Sequence, residues 1–122
     1  ILFHGSHPVV WAGPVHNWIA ACDRILALAP RVVVPGHGPL AGPAALTDLK
    51  EYFELLTREA RARFDAGMTA LDAARDIDLG PFAGWGEAER VVTCVHALYR
   101  DFGGEAPGDA LVLMGDMAAL AR

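Results

Sequence analysis

Three consecutive valines, Val32-Val33-Val34, run straight into Pro35-Gly36-His37-Gly38-Pro39, and this junction constrains the fold more than any other stretch. β-Branched apolar side chains fit a pleated, packed surface, so the valines predict a short buried strand. Pro35 and Gly36 end it. Gly36 and Gly38 let the backbone on both sides of His37 approach something closely. An imidazole on a glycine loop at a strand end is placed to bind a metal. A lone histidine is more often a satisfied structural side chain, so the local pattern leaves both readings open.

The rest of the chain is read around that junction. Residues 1–4 predict a strand, and 5–14 a loop rich in Gly, Pro and aromatic residues. A helix follows over Val15–Ala29, with Trp18, Cys22, Ile25 and Ala29 on one face and Pro14 suited to its first turn. Pro30 stops it. Strand, helix, strand over residues 1–34 is a right-handed βαβ crossover if the strands are parallel. The fold class expected is therefore α/β at the start, with helices after the loop of residues 35–43.

Leu46, Leu49, Phe53, Leu56, Ala60 and Phe64 form an apolar stripe on a long helix ending near Gly67. Thr69, with Asp72 three residues on, begins a second helix that runs to about Ile77. Residues 78–86 read as a loop anchored by Phe82 and Trp85. A third helix spans Glu87–Phe102, with Val91, Val95, Leu98 and Phe102 inward. In the tail, the apolar run Leu111–Met114 reads as a strand or a helical turn, and periodicity does not decide between them.

Val33-Val34-Pro35-Gly36-His37-Gly38-Pro39 resembles the last metal-binding motif of the metallo-β-lactamase-fold hydrolases, a superfamily that includes the glyoxalase II thioesterases. Ile1-Leu2-Phe3-His4-Gly5 is similar to the end of that family's Gly-Asp-x-Leu-Phe strand, whose aspartate bridges two metals. Trp18 to Leu28 resembles the helix between the two motifs. The resemblance covers roughly the first forty residues; the later helices fit, less specifically, the C-terminal extension of some members.

The resemblance implies that residues 1–42 are the C-terminal part of an αββα metallo-β-lactamase sandwich, with a helical extension over 43–104 and a tail over 105–122. It implies a metal-dependent hydrolase acting on a small-molecule thioester, lactam, lactone or phosphoester through a metal-activated hydroxide. The metal would be zinc, two ions, with iron or manganese also tolerated. His37 would be a metal ligand, and His7 and Trp11 would line the pocket and touch substrate. The family's His-x-His-x-Asp-His motif is absent from this sequence, and the bridging aspartate would fall immediately before Ile1. The expectation is a C-terminal fragment that holds no metal and is inactive by itself.

Plainer readings stand beside these. His4 and His7 can be loop and packing residues, His16 a surface residue in a first helical turn, and His96 a structural residue beside an apolar stripe. His37 and its neighbours can hold a metal for structure only. The whole chain can also be a non-catalytic helical interaction or oligomerisation module.

Composition limits the partners. A net charge of -5, with ten Lys and Arg scattered apart from a solvated face of Arg58, Arg61 and Arg63 on one helix, argues against nucleic acid or an anionic membrane surface. No apolar run approaches the roughly 18 residues of a membrane span. With 53% hydrophobic residues in 122, one domain has enough apolar material for a core. Cys22 and Cys94 show no Cys-x-x-Cys pairing and read as buried thiols of a cytoplasmic protein. Apolar strand edges and the stripes at 46–64 and 87–102 predict a homo-oligomer or domain-swapped dimer.

Overall fold

In the computed structural model of the chain, the residues described are 2–11, 13–105 and 109–122. Among these residues five α-helices follow in order: α1 (His16–Ala27), α2 (Ala44–Asp65), α3 (Ala70–Asp76), α4 (Val91–Asp101) and α5 (Ala110–Leu120). Single 3-10 turns at Gly80–Phe82 and Ala88–Arg90 lead into α4.

The expected α/β class is corrected. Extended pairing among the described residues is limited to three isolated bridges, Phe3 with His37, Ser6 with Gly86, and Val33 with Ala41. Among the described residues no bridge joins the valine run to residues 2–4. Val33 folds back instead on Ala41, exchanging N–H···O bonds of 2.7 and 3.0 Å. Val32 and Val34 are left 63% and 77% exposed, so the strand is neither buried nor part of a sheet. A β-branched run states a preference for pleated packing; a sheet also needs neighbours long enough to form a ladder. What pairs in parallel with residues 2–4 is His37, which lies past the valines.

The stripe on α2 behaves as its spacing predicts. Leu46, Leu49, Tyr52, Phe53, Leu56 and Ala60 are fully buried, and Phe64 is half-buried. α1 and α4 both pack on α2, while α3 and α5 pack on α4. One apolar cluster runs from Leu2 and Val10 through α2 to Tyr99, crossing the expected boundary at residues 42–43. The stripes assigned to self-association are thereby covered within the chain.

The helix ends show which local signals prevailed. Thr69 caps α3 by accepting a bond from the Asp72 N–H at 3.1 Å, as its spacing implies. α1 stops at Ala27 rather than Ala29, because Ala29 turns left-handed (φ 50°) ahead of Pro30. The Glu87–Phe102 helix begins later than read: Glu87 is left-handed (φ 61°), and the α-helix proper starts at Val91. The tail run is helical. Asp109 caps α5, accepting from the Leu111 and Val112 N–H groups at 2.8 and 3.1 Å. No helix among the described residues is long and apolar enough to cross a membrane.

Candidate functional site

Residues 7, 10 and 15 are held by polar bonds to Gly86 and to α4. The His7 N–H donates to the Gly86 carbonyl at 2.9 Å, the Val10 N–H to Thr93 Oγ1 at 2.9 Å, and the Val15 N–H to Asp101 Oδ2 at 2.8 Å. These bonds satisfy a loop that passes over the core. They also fix the start of the chain, against which the His37 loop is set.

The contact between the two is close. The His4 N–H donates to the His37 carbonyl at 2.9 Å, and the His37 N–H to the Leu2 carbonyl at 3.4 Å. Gly38, at φ 97°, lies so near His4 that a Cβ there would sit 2.3 Å from the His4 carbonyl oxygen. Only glycine meets both conditions. Gly36 carries no such demand, since the nearest atom to its Cβ position is the Leu2 oxygen at 3.9 Å.

This backbone places the His37 ring flat on Phe3, with centroids 4.4 Å apart and planes 10° from parallel. The Arg90 guanidinium covers Phe3 at 6.0 Å. His37 remains exposed, while His4 turns Nδ1 to the Pro39 carbonyl at 3.1 Å. The loop thus offers one oriented imidazole at the surface.

His7 is placed differently from the pocket-lining role the resemblance implies. It is fully buried and has no surface for a substrate. Its ring meets Tyr52 and Trp85 edge-on at 5.3 and 5.8 Å, and Nδ1 shares a 3.1 Å bond with the Tyr52 hydroxyl. Nε2 is buried without a hydrogen-bond partner. Burial lowers the His7 pKa from its ordinary 6.5, opposed by the Phe82 backbone and Glu89. Burial also pushes the Tyr52 phenol well up, so the hydroxyl stays neutral.

A pH dependence follows from His7. The unfolded chain takes up a proton near pH 6.5 and the folded chain only at lower pH, so the unfolded state binds more protons in between. The His7 contribution is complete above about pH 6.5 and is lost as pH falls through that window. Urea midpoints at pH 7.5 and 5.5 check this, with the wild-type drop exceeding that of His7→Gln.

Trp11 is half exposed, and no hydrogen bond or ring contact joins it to His7 or His37. His37, His7 and Trp11 therefore do not converge on one pocket. His16 is exposed on the first turn of α1, in keeping with a surface role. Both cysteines are buried free thiols; burial pushes the Cys94 thiol far above its ordinary range.

Comparison with protein-family models, with curated proteins and with solved structures finds no match for this chain.

Whether these residues fit a metal centre is decided by their donors. Among the described residues no three His, Cys, Asp or Glu side chains come together. A catalytic zinc takes three protein ligands as a rule, and the described residues bring no such set together. His37 qualifies as a single donor. His96, read from sequence as structural, carries an unpredicted partner: its Nε2 lies 2.8 Å from Asp116 Oδ2 on α5. No signal in the sequence linked these two, twenty residues apart on different helices.

Proposed function

We propose that this chain is the C-terminal portion of a metal-dependent hydrolase of the metallo-β-lactamase type, contributing His37 as one ligand of a zinc site. The rest of the ligand set would come from residues outside these 122. The observation that supports the reading most is the seating of Gly38 on the His4 carbonyl. That approach fixes the loop, and the Phe3 stack then orients an exposed imidazole. A preset ligand loses little side-chain freedom on metal binding, which is what a ligand loop requires. The role of this chain is to position that nitrogen; the helices carry the loop on a packed base. The substrate class stays with the family's thioesters, lactams, lactones and phosphoesters.

The test is metal analysis of the protein expressed from its native reading frame, with hydrolysis of thioester and lactone substrates. Near-stoichiometric zinc or iron, reduced together with activity in His37→Ala, is the expected result. Second-sphere and ligand changes commonly cost about 10–100-fold in affinity or activity. Metal and activity retained in His37→Ala would overturn the assignment and leave the helical interaction module as the better reading.

A further inference from the structure

A cleft of about 390 Å³ opens where the end of α2, the start of α3 and the end of α4 meet, away from the His37 loop. It falls within the usual range for small-molecule sites, roughly 300–1,000 Å³. Phe64, Met68 and Tyr99 form its apolar wall, with the Phe64 and Tyr99 rings edge-on at 5.1 Å. The Tyr99 hydroxyl donates to the Met68 carbonyl at 3.1 Å and holds that wall in place. Gly104 shapes one border: a Cβ there would come within 2.9 Å of the Tyr99 oxygen and 3.0 Å of the Phe64 ring.

Besides Tyr99, the polar side chains of the cleft are His96, Glu105 and Thr69, and the Thr69 hydroxyl is already spent on Asp72 at 2.9 Å. The His96 Nε2 is engaged by Asp116 at 2.8 Å, with the carboxylate orienting the ring from α5. In the neutral ring this bond places the proton on Nε2 and leaves Nδ1 a lone-pair acceptor. Nδ1 has no partner among the described residues, and it is not among the buried orphaned atoms, so solvent reaches it. Glu105 also lines the cleft and forms no ion pair with any described residue. Arg63, which acts on Tyr99 from α2, is already neutralised by Glu59 and Asp76 at 3.0 and 2.8 Å. An apolar wall facing a free carboxylate and a free imidazole nitrogen, backed by a second carboxylate, selects a donor with positive charge.

We propose that this cleft binds a small primary amine carrying an aromatic or branched apolar group, with Glu105 and His96 receiving the ammonium and Phe64, Met68 and Tyr99 the apolar body. The site is independent of the His37 loop and of the hydrolase reading.

The probe is 2-phenylethylamine, titrated into the isotopically labelled chain and followed by amide chemical shifts. The same-shape alcohol 2-phenylethanol and the carboxylate 3-phenylpropanoate serve as comparisons. Saturable shifts centred on Met68, Tyr99 and Gly104 are expected with the amine, weaker binding with the alcohol and none with the carboxylate. Glu105 is exposed, so Glu105→Gln leaves the fold intact; it should weaken amine binding about two- to fivefold, as expected for one exposed ion pair. His96→Gln should weaken it further. Equal or tighter binding of the carboxylate, amine shifts centred elsewhere or failing to saturate, or no change in Glu105→Gln would each overturn the proposal.

Discussion

Tyr52→Ala is expected to cost about 4 kcal/mol of stability, the upper range for emptying a buried aromatic site. Tyr52 is fully buried at the centre of the aromatic group, touching His7, Phe53, Phe82 and Trp85 with ring centroids 5.3–5.5 Å away. Truncation removes that packing together with the hydroxyl that bonds His7 Nδ1 at 3.1 Å. Since His7 Nε2 has no partner, His7 would lose its one hydrogen bond to another side chain. Tyr52→Phe separates the two effects, because it keeps the ring and removes only the bond; about 1–3 kcal/mol is expected from the orphaned imidazole. Chemical denaturation measures both. A domain has on the order of 5–15 kcal/mol in total, so the alanine variant lies near the edge of folding. A Tyr52→Phe loss equal to that of Tyr52→Ala would show that packing around the ring contributes little.

Gly38→Ala carries the second large effect, and it acts locally. The new Cβ would sit 2.3 Å from the His4 carbonyl oxygen, and alanine is disfavoured at φ 97° besides. A backbone atom cannot swing aside as a side chain does, so the loop must lift from residues 2–4. The strain avoided by doing so is about 3 kcal/mol or more. The helices should survive, because residues 36–40 are largely exposed and lie outside the core. Amide exchange reads the outcome: the His4 N–H, bonded to the His37 carbonyl at 2.9 Å, should lose protection while α2 and α4 amides keep theirs. Gly36→Ala is the control and should leave His4 protected, its Cβ meeting nothing closer than 3.9 Å. Unchanged exchange at His4 in Gly38→Ala would mean the loop is not fixed by this contact.

Both variants touch positions that the sequence marks unequally. The apolar stripe from Leu46 to Phe64 identifies α2 and its buried face, because helical periodicity repeats over several turns and averages out local exceptions. Thr69 and Asp72 mark the start of α3 for a similar reason, since a cap is a bond between near neighbours. The Asp109 cap of α5 emerged only in the structure, because the apolar run after it left helix and strand undecided. In the His37 loop, the two glycines look alike in sequence and are unlike in space. Gly38 touches His4, thirty-four positions away, and no local pattern states that.

The sequence by itself therefore determined most of the helical part of this protein: that α1 to α4 coil, which of their faces turn inward and where α3 begins. It also singled out His37 as the histidine of a glycine loop. Tertiary structure alone decided the rest. The valine run found no ladder and folded back on Ala41, since strand pairing depends on a partner that a sequence window does not contain. His7 went inside against Tyr52, and His96 met Asp116 beside a cleft, because contacts between distant segments are set by how the helices cross.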